Sequence, residues 1–207
     1  MLSGTTLAVF FQRVESRCCF ISGVDSRDVV FYLKKMDIHF NRKKNMLNFL
    51  LKHLRSLELV EQFVENAHPA CTSLEHHTLF ELMQSSALET LRIFDVRAFQ
   101  EFEISHLEQA ISVPPETEVS HFFETFENEL SGKKLVFYCS VGLRSAEFIG
   151  KVQNKCLNAG ALSVHNLKGG IFRWYNAGLP VVSANGKTDE LHPYNSFWEL
   201  LVEKRAQ

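Results

Sequence analysis

Residues 135–146 read LVFYCSVGLRSA, and this stretch limits the folds open to the chain more than any other. The apolar run Leu135 to Tyr138 has the length and composition of a buried strand, and it stops at Cys139. The six residues Ser140 to Ser145 are small or polar apart from Val141 and Leu143, and helix-compatible residues follow from Ala146. The expectation is strand, tight loop, helix.

A loop that curls around a cysteine into a helix start turns several backbone N–H groups toward the sulfur. With the positive end of the helix dipole, those donors form an anion cradle. A thiolate held there is stabilised relative to the thiol, which makes Cys139 a candidate nucleophile. Ser140, Val141, Gly142, Leu143, Arg144 and Ser145 are the candidate cradle. Gly142 is free to take φ > 0 or to let the backbone approach a bound group closely. Arg144 adds a fixed charge able to grip a planar or tetrahedral anion at the mouth. The plainer alternative for Cys139 is a buried structural thiol.

The pattern Cys-x-x-Gly-x-Arg-Ser after a strand resembles the active-site loop of the rhodanese family, sulfurtransferases that carry sulfur as a cysteine persulfide. The similarity extends from the segment after Ser73 to about Val182, roughly half the chain. A strand Leu91 to Val96 ends in Asp95-Val96-Arg97, and Glu101 follows four residues after the arginine. Next come Ser105-His106-Leu107 and Ala110-Ile111, where Ser105 replaces the family's usual Gly and Glu108-Gln109 its usual Pro-Gly. Two turn signals are thus missing. At the far end, Gly169-Gly170, Trp174 and Gly178-x-Pro180-Val181 resemble the carboxyl end of rhodanese domains. Asp95 is expected to accept hydrogen bonds that hold the strand end beside the cysteine loop. Arg97 and Glu101 are expected to form a partly buried pair. Trp174 is read as a core plug, and Lys168 as a positive charge at the entrance.

The resemblance implies transfer of sulfane sulfur through Cys139, from thiosulfate or a similar donor to a thiol or protein acceptor. It implies no cofactor. Two other readings stand beside it. One is a non-turnover persulfide carrier or a module that docks to a partner. The other is phosphatase or arsenate chemistry, which related enzymes perform with five residues between the cysteine and the arginine. Here four residues stand between Cys139 and Arg144, a smaller cradle suited to one sulfur atom rather than a phosphoryl group.

Alternating strands and amphipathic helices predict an α/β fold, a parallel sheet flanked by helices, with Cys139 at the carboxyl end of a strand. A chain of 207 residues accommodates one such domain and an extension. The expected organisation is a mainly helical N-terminal extension (1–73), the rhodanese-like domain (74–183) and a C-terminal tail with a short helix (184–207). Expected helices are 79–84, 117–130 and 146–157, and the last expected strand is 161–167. Pro69 to Ser73 reads as a connector, Asn185-Gly186 as a turn, and Phe197, Trp198, Leu200, Leu201 and Val202 as the apolar face of the tail helix.

In the extension, seven Lys or Arg between Lys34 and Arg55 stand against one acid, Asp37. Leu47, Leu50, Leu51, Leu54, Leu57, Val60 and Val64 give an amphipathic helix over 46–66. Its bland role is to pack on the following domain. The sharper one is peripheral contact with an anionic membrane surface, RNA or an acidic protein. Met36 and Met46 leave a downstream start open. The formal charge of -2 gives no overall case for nucleic acid, and no apolar run approaches the ~20 residues of a membrane span. Five cysteines without a Cys-x-x-Cys pair form neither a disulfide framework nor a zinc spacing. Nine histidines show no His-x-x-x-His cluster, so no metal is expected. A reducing, cytoplasmic setting is expected.

Overall fold

The sheet is built around the strand predicted to precede the cysteine. In the computed structural model, which describes residues 56–194, 198–203 and 205, that strand is Lys134–Tyr138. The described residues all belong to one compact unit, Phe49–Gln207. The basic run Lys34 to Arg55, the start of the helix expected over 46–66, and Phe197 of the tail lie outside the described residues.

The elements in chain order are α1 (Leu57–Ala67), β1 (Thr72–Leu74), α2 (His76–Met83), a 3-10 turn (Ser86–Thr90), β2 (Leu91–Asp95), α3 (Phe99–Ile104), β3 (Ala110–Ser112) and α4 (Val119–Leu130). Then follow β4 (Lys134–Tyr138), α5 (Leu143–Asn158), β5 (Ser163–Leu167), α6 (Gly170–Asn176), β6 (Val181–Ser183), β7 (Gly186–Thr188) and a second 3-10 turn (Trp198–Leu201). Five strands form one parallel sheet in the order β1-β5-β4-β2-β3, so β4 is central. The expected parallel α/β sheet flanked by helices is what the chain forms.

Centrality explains the composition of β4. Leu135, Val136, Phe137 and Tyr138 are all fully buried, as a parallel strand covered on both faces requires. Successive side chains point to opposite faces. Leu135 and Phe137 join Phe94, Phe122, Phe148, Ile149 and Val152 in one core cluster beneath α4 and α5. There Phe94 stacks on Phe137 at 4.9 Å and Phe122 meets Phe148 edge-on at 5.5 Å. On the opposite face, Tyr138 accepts a hydrogen bond at its hydroxyl from the Leu107 N–H, at 3.1 Å. That bond fixes the chain after α3 to the central strand.

Several boundaries differ from the expected ones. β1 falls across the predicted connector and the predicted domain boundary at 73/74. Three residues on a sheet edge leave no periodic signal, so this strand is set by its pairing with β5. α2 begins at His76 rather than Leu79, and α5 at Leu143 rather than Ala146. The tail forms the β6–β7 hairpin through the expected turn at Asn185-Gly186, where Gly186 has φ 102°. Beyond it the expected helix is a single 3-10 turn, with Trp198 and Leu201 buried and Leu200 half exposed. At the turn lacking its family signals, Gln109 itself takes the left-handed conformation, φ 63°.

Candidate functional site

Cys139 lies at the carboxyl end of β4, and Gly142 turns the chain into α5. Gly142 has φ 95° and its N–H donates to Cys139 Sγ at 3.1 Å. A Cβ there would press on the Asn166 amide and the Leu167 carbonyl, so the position favours glycine both sterically and conformationally. Because α5 starts at Leu143, residues 143–145 form its first turn instead of a separate loop. Their N–H groups precede the first closed bond of the helix, from the Ala146 N–H to the Gly142 carbonyl at 3.2 Å. The positive end of α5 therefore faces the sulfur.

Two elements, β5 and α6, hold the loop from outside. Asn166, buried in β5, donates from Nδ2 to the Gly142 carbonyl at 2.9 Å and accepts from the Ser145 hydroxyl at 2.6 Å. Gly170 opens α6, whose Ile171 and Phe172 N–H groups donate to the Cys139 and Ser140 carbonyls at 2.9 and 3.0 Å. The expected sharp turn at Gly169-Gly170 is present, with φ 68° and 57°. Trp174, the expected core plug, is buried and donates from Nε1 to the Pro180 carbonyl at 2.8 Å.

The charged residues pair otherwise than the sequence suggested. Arg97, fully buried, reaches back to Asp95: Nε donates at 2.9 Å and Nη2 at 2.6 Å, while the backbone N–H of Arg97 donates to the same carboxylate at 3.0 Å. Nη2 also donates to the Ser105 carbonyl at 2.6 Å. Asp95 thus accepts hydrogen bonds that hold its strand end, as expected, and they come from Arg97. The loop is held beside β2 by the sheet register and by the Val96 N–H donating to the Tyr138 carbonyl at 2.9 Å.

Glu101, expected to pair with Arg97, pairs with Arg144 instead. Arg97 needs only two residues to find Asp95, and that short turn leaves the Glu101 carboxylate free to face α5. Arg144 donates from Nη1 and Nη2 to the two Glu101 oxygens and from Nη2 to the Ser140 hydroxyl at 2.9 Å. Ser140 in turn donates to Glu101 at 3.1 Å, and the Ala98 N–H donates to the same carboxylate at 3.1 Å. Burial pushes the Glu101 carboxyl up, but the Arg144 guanidinium together with Arg97 and the Ala98 N–H outweighs it and holds the group below the usual carboxylate range. Burial works against the charge on Arg144, and the nearby Cys139 sulfur and Glu101 overcome it. Arg144 is therefore a loop clamp rather than a free anion grip. Over its other side lies the ring of Tyr194, 4.7 Å away.

Lys168, expected at the entrance, pairs with Glu65 of α1 and with Glu75, both at 3.2 Å. Arg173 of α6 pairs with Glu58 and Glu61 of α1, each at 2.7 Å. Helix α1 thus uses one acidic face to dock beside the site, with Leu57 and Val64 buried behind it. Cys139 is 1% exposed, and Ser140, Val141 and Leu143 are buried with it. Glu75, His76 and His77 bring three ligand-type atoms within 4.8 Å, a grouping of adjacent residues that does not include Cys139.

Sequence reasoning missed Asn166, Tyr194 and the α1 carboxylates. Asn166 carried a usable signal: two residues after Val164, it shares that residue's covered face of the strand and is a buried amide in need of partners.

Residues 78–177 match the family described as rhodanese-like domain, and this part of the chain is a rhodanese-like domain. An uncharacterized protein of Synechocystis sp. is 32% identical over 105 residues, covering 51% of this chain and 52% of that one. The chain thus spans about half the length of the curated relative it matches. Among solved structures, a thiosulfate sulfurtransferase from Pseudomonas aeruginosa is 23% identical with a TM-score of 0.49, covering 67% of this chain and 24% of that one. A rhodanese-related protein from Thermoplasma volcanium is 25% identical with a TM-score of 0.42, covering 54% and 97%. A Rhodopseudomonas palustris protein of unknown function, described as a possible tyrosine phosphatase, is 22% identical with a TM-score of 0.43, covering 61% and 93%. Among the described residues, no helix is long and apolar enough to cross a membrane.

Proposed function

We propose that the domain is a sulfurtransferase that carries sulfane sulfur as a persulfide on Cys139 and passes it to a thiophilic acceptor. The observation that supports this most directly is the Gly142 N–H on Cys139 Sγ at 3.1 Å, at the start of a 16-residue helix. A thiolate attacks the outer sulfur of a donor, and the resulting persulfide anion is stabilised by the same amide and the positive helix end. Arg144 supports the cradle by holding Ser140 and Glu101 in place. The free thiols at Cys71, Cys139 and Cys156 suit a reducing, cytoplasmic setting.

Incubation with a sulfane-sulfur donor should add about 32 Da, one sulfur, to Cys139 and nothing to the Cys139→Ser variant. Steady-state transfer to cyanide or to a thiol should be lost in the same variant. Absence of the mass gain with every donor class would exclude the reading. The burial of Cys139 at 1% exposure favours one second reading, a carrier or docking module that holds a persulfide without turning over. A mass gain without steady-state turnover would select it.

A further inference from the structure

The charges around the cysteine loop bear on what kind of donor can enter. Four cations surround it among the described residues, and each is already matched. Arg97 is held by Asp95, Arg144 by Glu101, Lys168 by Glu65 and Glu75, and Arg173 by Glu58 and Glu61, six carboxylates against four cations. The remaining face of Arg144 is closed by the Tyr194 ring, whose residue stands in the left-handed conformation with φ 65°. Arg144 also lies near enough to Cys139 for the two to interact electrostatically. Thiosulfate carries two negative charges, and to reach Cys139 it must shed water in a place where the carboxylates already outnumber the cations. Moving charge out of water is costly unless it is paired, and the cost climbs steeply with the charge carried.

We propose that the sulfur donor is a small thiol persulfide rather than thiosulfate, an inference that rests on the sulfur-transfer reading above. In the donor R–S–SH the sulfur to be moved bears no charge or one. The Cys139 thiolate attacks the outer sulfur, so a new S–S bond forms between Sγ and that atom while the original R–S–SH bond breaks. The bonding pair leaves with R–S as a thiolate, and the proton stays on the transferred sulfur or passes to the departing thiolate. No external oxidant or reductant is required. The main-chain amide of Gly142 serves this step as it serves a resting thiolate, whereas a second sulfonate-like charge finds each of these four cations already paired.

The test uses the full chain with two donors at equal concentration, the hydropersulfide of 2-mercaptoethanol and thiosulfate. The rate of persulfide formation at Cys139 is followed by mass spectrometry. The same pair of rates on free N-acetylcysteine corrects for the donors' intrinsic reactivity. The corrected preference for the hydropersulfide should be at least about tenfold, the scale on which one unpaired charge shifts an equilibrium in a partly buried site. In Glu58→Gln/Glu61→Gln, which leaves Arg173 with unopposed charge, thiosulfate loading should rise about threefold or more while hydropersulfide loading stays within about twofold. A corrected preference near one, with both donors loading, overturns this inference and leaves sulfur transfer standing. Failure of both donors to load overturns this inference, and the same failure with every donor class overturns the sulfur-transfer reading together with it.

Discussion

Arg144 sets its two terminal nitrogens on the two carboxylate oxygens of Glu101, at 3.0 and 3.1 Å, across 43 positions of sequence. This bidentate pair ties the first turn of α5 to α3, and Ser140 is held in its fork. Breaking one side leaves a largely buried charge without its partner, so Glu101→Gln should cost about 3 kcal/mol of unfolding free energy in urea titrations. Arg144→Lys should fall short of full rescue, because an ammonium cannot span both oxygens. Equal stability of wild type and Glu101→Gln would refute the clamp.

Acid should loosen the docking of α1. The Ser56 hydroxyl and the Arg173 guanidinium hold the Glu58 carboxyl down at about 2, from an ordinary 4.5. A group depressed on folding contributes stability that is present above its unfolded value and lost as pH falls toward its folded one. Stability contributed by Glu58 should thus be complete above pH 4.5 and decline between there and about 2. Glu58 is mostly exposed, so screening keeps the effect small. Thermal melts of wild type and Glu58→Gln should differ at pH 6 and converge in strong acid, which 0.5 M salt should reproduce in part.

The parallel sheet was legible because Leu135 to Tyr138 reads apolar at every position, which only a strand covered on both faces tolerates. Cys139 and Gly142 were legible because a strand that ends in a cysteine and a glycine before a helix leaves few backbone paths. What could not be read was pairing at distance. Arg97 had two carboxylates within four residues of it, and sequence spacing alone favoured neither Asp95 nor Glu101. The choice is made by the turn after β2, which folds Arg97 back onto its own strand end and points Glu101 at an arginine on another helix. Arg173 and the acidic face of α1, 115 positions apart in the longer pair, lay beyond any local pattern.

Gly170 and Gly150 should respond oppositely to the same substitution. A Cβ on Gly170 would overlap the Cys139 and Ser140 carbonyls, and its φ of 57° disfavours any side chain. Gly170→Ala should therefore cost about 2 kcal/mol or more, and should slow sulfur loading because the Ile171 and Phe172 N–H bonds to the loop must shift. Gly150 lies inside α5, where an added Cβ would meet nothing within 4 Å. Gly150→Ala should gain about 0.5–1 kcal/mol through helix propensity. Denaturant midpoints of the two variants on opposite sides of wild type would bear this out, and a Gly170→Ala variant of native stability would contradict the close approach of α6 to the loop.

The other described thiols should stay silent where Cys139 reacts. Burial pushes the Cys156 thiol up to about 12, with only a small opposing pull from Lys155, and pushes Cys71 up to about 11. At pH 8 no more than roughly one in a thousand of either is thiolate, and thiolate is the attacking form. Among the described residues neither has a backbone N–H directed at its sulfur, whereas Cys139 has that of Gly142. In native protein treated with iodoacetamide at pH 8, peptide mapping should find Cys71 and Cys156 labelled at least ~100-fold more slowly than in denaturant. Rapid labelling of Cys156 in the folded chain would mean that α5 opens on the timescale of the reaction, and the core cluster of Phe122, Phe148 and Val152 would then be far looser than its packing implies.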